Sequence, residues 1–359
     1  MARDRILTED VELMQLTALF SKNQQCFYHY IATYAAENEH EETVGRPLRF
    51  HRIENTIDCL FSPCTKWSFY NAILDADISQ KIVTHRPTDE NLIIEQILSL
   101  ASLYKCPIRS SVNPAALPSQ QLLQRHGFVE LPTSSETYQF VDFYREKHSS
   151  GSASMAADKD ILELDDSTQS NCQRRKSEWG YVLSESFGFP NPEIHGPFYS
   201  NVWTRVEVGP EKAVRMFVAL KNGRVVGGCH VSFACGVACL FNVTTLKSER
   251  GKGIGKALSL RAMAAARESK YRYIVLQSSR MGLRIYKQLG FQPLPSYMTF
   301  VKLSTVAWYY RIIELFLQLI PIQQLQKCFK LIRNPSKVHL FAVFIAIVIL
   351  LLLLTKMFG

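Results

Sequence analysis

The sequence predicts an α/β (α+β) protein in which one arrangement of strands and helices occurs twice, followed by an apolar tail that crosses a membrane. Three observations predict it. Around residues 238–268 an apolar strand runs through a charged, glycine-rich turn into a helix. A helix that stops at a Gly-Phe pair and hands over to a strand occurs at Gly127-Phe128 and again at Gly290-Phe291. From Leu340 to Leu354 every side chain is apolar.

The turn carries the chemistry. Ala238 to Leu246 is apolar and β-branched, as a strand requires, and Lys256 to Arg267 has helical composition. Ile254, Leu258, Ala262 and Ala265 fall near one helical face. Without Cβ atoms at Gly251, Gly253 and Gly255, the main chain can approach an anion closely. Its N–H groups then form a nest at the positive end of the helix. Arg250, Lys252 and Lys256 add charge, so the natural ligand is a pyrophosphate. The spacing is neither the dinucleotide GxGxxG nor the triphosphate GxxxxGK followed by Ser or Thr.

Arg250-Gly-Lys-Gly-Ile-Gly255 instead resembles the Arg/Gln-x-x-Gly-x-Gly/Ala loop of the GCN5-related N-acetyltransferase (GNAT) superfamily. After an apolar strand at 273–277, the run Tyr286-Lys-Gln-Leu-Gly-Phe291 is similar to that superfamily's second signature, Tyr-x-x-Leu-Gly-Phe. Gly290 reads as the helix C-cap. The two signatures stand in the right order, with one helix and one strand between them. The resemblance implies a mixed, mostly antiparallel GNAT sheet flanked by helices, with acetyl-CoA as acetyl donor and no metal. It implies that the backbone of Val243, Thr244 and Thr245 holds the pantetheine arm and that Met281 and Gly282 lie beside it. Arg250 and the amides of Gly251, Lys252, Gly253, Ile254, Gly255 and Lys256 hold the pyrophosphate. Val243 N–H polarises the thioester oxygen, and Tyr286 protonates the departing thiolate. A core aromatic is the alternative reading of Tyr286.

Composition is compatible with this. At 359 residues, 47% hydrophobic and 20% charged, the chain has material for two domains and real cores. Its net charge of +9 is dispersed and accompanied by no nucleic-acid-binding pattern, and it suits anionic coenzyme A or anionic lipid. Nine cysteines without a CxxC pair or zinc spacing read as reduced core thiols of a cytosolic protein. The charged amino terminus has no apolar signal core.

Residues 1–146 form the first unit. It has helices over 11–36, 90–104 and 119–126, and strands over 69–76, 107–112 and 137–144. Its glycines are Gly45 and Gly127, so no backbone nest forms where the pyrophosphate loop would fall. It reads as a degenerate GNAT-like copy that shapes the acceptor site, or as an unrelated α/β domain. Residues 147–158 are a small-residue linker.

The catalytic copy spans 159–303. It has a strand from Ile161, a helix over 167–187, a Pro- and aromatic-rich loop over 189–199, and a hairpin turned at Asn222-Gly223. A neutral amine attacks the held thioester directly, with orientation lowering the barrier. No general base stands out: Glu185, Glu193, His195 and His230 all remain open.

Residues 304–336 are an amphipathic juxtamembrane segment that lies in the interface or packs under the catalytic copy. The apolar core of the tail is short of the roughly 30 Å hydrocarbon layer, but 337–358 is long enough, with Lys337 and Lys356 snorkelling. A buried helix at a dimer interface is the alternative. Lys327, Lys330, Arg333 and Lys337 before the span place the catalytic copy on the cytosolic side. Two functional readings result: a membrane-anchored N-acetyltransferase acting on a primary amine, and a catalytically silent GNAT-fold binding or scaffold protein at a membrane.

Overall fold

Alternating apolar residues and turn glycines build two sheets that follow one order. In the first half, helix α1 (Leu13–Ala36) precedes strands β1 (Arg49–Ile53), β2 (Ile57–Phe61) and β3 (Ala72–Ile73). Helix α2 (Glu90–Leu103), strand β4 (Ile108–Val112), helix α3 (Leu117–Arg125) and strands β5 (Val129–Leu131) and β6 (Glu136–Asp142) complete it. The second half runs β7 (Ile161–Leu164), α4 (Cys172–Phe187), α5 (Pro192–Arg205), β8 (Val214–Lys221), β9 (Arg224–Ala234) and β10 (Val237–Thr245). It ends with α6 (Ile254–Glu268), β11 (Tyr273–Ser279), α7 (Leu283–Gln288), β12 (Gln292–Leu294) and β13 (Met298–Lys302). The computed structural model describes residues 12–36, 48–62, 71–74, 90–131, 136–145, 160–168, 170–189 and 192–302, within the unit Met1–Ser304.

The six-stranded sheet is ordered β1-β2-β3-β4-β13-β5 and the seven-stranded sheet β12-β6-β11-β10-β9-β8-β7. In each, an antiparallel run meets one parallel pair, β3 with β4 and β10 with β11, and a helix connects that pair. In each, the strand beyond the parallel pair is borrowed. β13, from the end of the second half, lies between β4 and β5, and β6, from the end of the first half, lies between β11 and β12. The halves therefore exchange their last strands. The expected boundaries at 146 and 159 cut the chain between two halves whose sheets are each completed by the other.

Helix α1 also crosses over. Leu16 and Phe20 pack with Tyr138, Val237, Val275 and Tyr297, while Phe27 and Ile31 join the core under α4 and α5. Asn23, fully buried, donates from Nδ2 to the carbonyls of Ser232 (3.3 Å), Ala234 (2.9 Å) and Val237 (3.0 Å). It thereby ties the first half to the β9–β10 turn.

One expectation is corrected and two strands are added. The stretch 189–199, expected as a loop, is largely helical: α5 begins at Pro192, where a missing N–H costs nothing, and runs through Pro197. Burial of Phe198, Tyr199, Val202 and Trp203 outweighs the one bond Pro197 cannot make. Gly196 is required by packing, because a Cβ there would come within 2.5 Å of the Tyr181 ring of α4. Strands β1 and β2 have no counterpart in the sequence reading, since polar residues interrupt their apolar pattern. The β8–β9 hairpin turns at Asn222 (φ 52°) and Gly223 (φ 74°), as that pair predicts. The linker 147–158, the segment 304–336 and the tail 337–358 lie outside the described residues. Among the described residues no helix is long and apolar enough to cross a membrane.

Candidate active site

The site begins where two parallel strands part. β10 and β11 pair only over Ala238–Leu240 and Ile274–Leu276, then diverge. On its other side β10 loses register with β9 between Phe241 and Thr244, so Asn242 and Val243 face the single residue Cys229 as a β-bulge. Asn242 takes the left-handed conformation (φ 54°) that the bulge imposes and that asparagine tolerates. Asn242 and Val243 thus have no register partner on either neighbouring strand. Below the bulge Thr244 is fixed by Trp179 Nε1, which donates to its Oγ1 (3.3 Å), and by its own bond to Gly228 O (3.2 Å).

The chain then turns through residues 247–253 into α6. Gly253 caps that helix at φ 81°, a conformation that any side chain would strain, and nothing lies within 4 Å of the place a Cβ would occupy. The first N–H groups of α6 have no partner inside the helix and face this open ground, so the dipole end is available to an anion. Three cations surround it with different roles. Arg250 is a strut: Nη2 donates to Ser186 O (2.7 Å) and Nε to Thr245 O (3.2 Å), fastening the loop to the end of α4. Lys252 pairs with Glu249 (2.9 Å), which Lys221 also holds (2.8 Å). Lys256 has no ion pair among the described residues and is the cation of the nest free to meet a phosphate.

One cavity of about 810 Å³ runs from this nest up between β10 and β11. It is lined by every site residue expected from sequence except Lys252: Val243, Thr244, Thr245, Arg250, Gly251, Gly253, Ile254, Gly255, Lys256, Met281, Gly282 and Tyr286. Met281 and Gly282 stand on the β11 side of the cleft, Met281 largely exposed. Tyr286 is buried on α7, edge-on to Phe291 with centroids 5.5 Å apart. Burial, and then the neighbouring Cys229, push its phenol above the ordinary value, and a hydrogen bond with Ser259 pulls it partly back.

The residues of the upper part of the cavity were not foreseen. Gln24, Phe27 and Tyr28 of α1 and Arg109 of β4 line it, so the first half supplies part of its wall. Arg109 donates to the Tyr28 hydroxyl at 2.8 Å. No local pattern could announce these residues, because only the tertiary fold brings them to the cleft. Asn242 did leave a signal: an asparagine inside a β-branched run marks a bulge.

Of the four candidate bases, only His230 lines the cavity. Glu185 and Glu193 are exposed, and His195 is stacked on Phe189 at 5.1 Å, its pKa lowered by burial. His230 is fully buried, and burial alone lowers its pKa to about 3. Among the described residues no group of His/Cys/Asp/Glu could hold a metal ion.

A strand bulge, a splayed parallel pair and a glycine-capped helix define a protein built to seat an extended ligand with an anionic end. Residues 212–293 match the model of the acetyltransferase (GNAT) domain family. The chain is also similar to a tandem GNAT protein of the clavulanic acid biosynthesis pathway, at 13% identity over 79% of this chain and 94% of that one, TM-score 0.49. An N-acetyltransferase from Kribbella flavida aligns at 12% identity over 77% and 93%, TM-score 0.44. An acetyltransferase of Trypanosoma brucei aligns at 23% identity over 38% and 93%, TM-score 0.30. A search of curated proteins finds no match to the chain.

Proposed function

We propose that the protein is an acetyl-CoA-dependent N-acetyltransferase that acts on a primary amine in the cytosol and is held at a membrane by its tail. The observation that carries the catalytic reading is the cleft between β10 and β11, which ends on the open, glycine-capped start of α6. Its residues fit coenzyme A. The nest at 251–256 with Lys256 suits a diphosphate, and the bulged backbone at Asn242–Val243, out of register with both neighbouring strands, suits an arm that bonds like a strand. Acetyl-CoA supplies the activated acyl group as a thioester. The protein's part is orientation: the N–H of Val243, in the bulge that lines the cleft, polarises the acyl oxygen, and the upper cavity aims the amine at it. Tyr286 holds its proton throughout the neutral range and shares it with the leaving sulfur while the C–S bond breaks; because burial raises the phenol above the thiol's pKa of about 8.5, the step is uphill and depends on prompt return of a proton to the phenolate.

The test is calorimetry with coenzyme A, coupled to thiol release from acetyl-CoA in the presence of amines. Gly253→Val forces a β-branched residue to φ 81° and puts methyl groups before the nest, so affinity should drop by about tenfold or more at a strain of about 1–3 kcal/mol. An unchanged binding heat sinks the reading. Binding without any thiol release favours the scaffold alternative.

A further inference from the structure

We infer that His230 is the catalytic base of this site, taking from the acceptor amine the proton that acyl transfer releases. The inference rests on the acetyltransferase reading and adds to it the missing proton acceptor.

Placement comes first. His230 is the register partner of Phe241, the last regular pair before the bulge, so it stands beside the backbone assigned to the thioester oxygen. It lines the cavity on the acceptor side, where α1 contributes Phe27 and α5 contributes Tyr199. Its ring is enclosed by other rings: Trp203 at 4.6 Å between centroids, Phe27 at 4.7 Å, Phe241 at 5.4 Å and Trp179 at 6.0 Å.

Both ring nitrogens, Nδ1 and Nε2, are buried and make no hydrogen bond among the described residues. A core histidine kept for packing finds a partner for at least one of them, because an orphaned buried polar atom is destabilising. Here the imidazole keeps one lone pair and one N–H unused beside the cavity that it borders, and Phe27 and Phe241, which cover the ring, must yield for the amine to reach it. Burial keeps the ring neutral, and no nearby charge opposes this, so the lone pair is available throughout the physiological range.

The step balances. The amine nitrogen attacks the thioester carbon, the C–N bond forms, the C–S bond breaks and its electron pair leaves on sulfur. The amine's surplus proton passes to a His230 ring nitrogen, while sulfur takes the Tyr286 proton. Imidazolium and phenolate are then neutralised by one proton passed through water as the products leave. Burial disfavours the imidazolium, so it is only a passing state, and the aromatic rings around it offset part of that cost.

The experiment uses the full chain, acetyl-CoA and a panel of 2-phenylethylamine, L-phenylalanine, spermidine and a lysine-containing peptide, read by thiol release. His230→Gln retains a polar group of similar reach but cannot carry the proton. It should lower turnover at least 100-fold, the scale of general-base catalysis, with coenzyme A affinity within twofold. His230→Met removes both orphaned nitrogens, so it should be equally inactive while the Tm stays level or rises. Turnover within threefold of the parent in either variant overturns the inference. So does a lower Tm together with lost coenzyme A binding in both, which marks a structural residue. If the parent itself releases no thiol with any amine, the acetyltransferase reading falls and takes this one with it; release by parent and variants alike overturns this inference alone.

Discussion

Tyr286 and His230 are buried groups whose surroundings hold them neutral, the starting forms of the proton donor and acceptor proposed above. Tyr286→Phe keeps the ring contact with Phe291 and removes only the proton. Turnover should drop by about tenfold or more and coenzyme A affinity stay within about twofold, as measured by thiol release and calorimetry. His230 also leaves a mark on stability. Its folded pKa of about 3 lies below the unfolded value of 6.5, so between these pH values the unfolded chain binds a proton that the folded one refuses. Stability from this residue is therefore intact above pH 6.5 and declines as pH falls towards 3. Thermal melts at pH 7 and pH 5 should show a smaller loss for His230→Met than for the parent.

Among the elements, β10, its turn and α6 were legible because their signals are local. A β-branched run, glycines needed at positive φ and a helical apolar stripe each act within a few residues. The same holds for Asn222-Gly223 and for the Gly290 stop before β12. What could not be read is partner choice. Nothing in Met298–Lys302 says that it will pair with β4 and β5, a sheet begun more than a hundred residues earlier, rather than with its own neighbours. Arg109 and Phe27 were invisible as cavity residues for the same reason, and the pairing of the Lys252 side chain with Glu249, three residues before it, was not read either. The exchange of β6 and β13 yields an outcome for fragments. Expressed separately, 1–146 and 159–303 should each lack a sheet-interior strand and aggregate. Expressed together they should co-purify, each completing the other's sheet. Two soluble, independently folded fragments would contradict the paired architecture.

For the molecule as a whole, the cavity belongs to both halves. α1 packs against the second sheet through Leu16 and Phe20, is bonded to the β9–β10 turn through Asn23, and presents Phe27 to the site. The copy without a glycine nest thus supplies part of the cavity wall, the part that the proposed function gives to the acceptor. Attachment to a membrane is tested by removing residues beyond 337. The shortened protein should move from the membrane pellet to the soluble fraction with coenzyme A binding intact, whereas continued sedimentation points to 304–336 as the anchor.

The strand at 298–302 also sets a timetable for biosynthesis. When the ribosome has finished the amino-terminal half, that half holds a gap no residue yet made can fill, so the usual order in which leading domains mature first is closed to it. Elongation from residue 142 to residue 302 takes roughly 10–30 s at ordinary translation speed, and for that interval the nascent sheet has an open seam. Chaperone occupancy on stalled chains should therefore persist until 302 has emerged and then fall for both halves together.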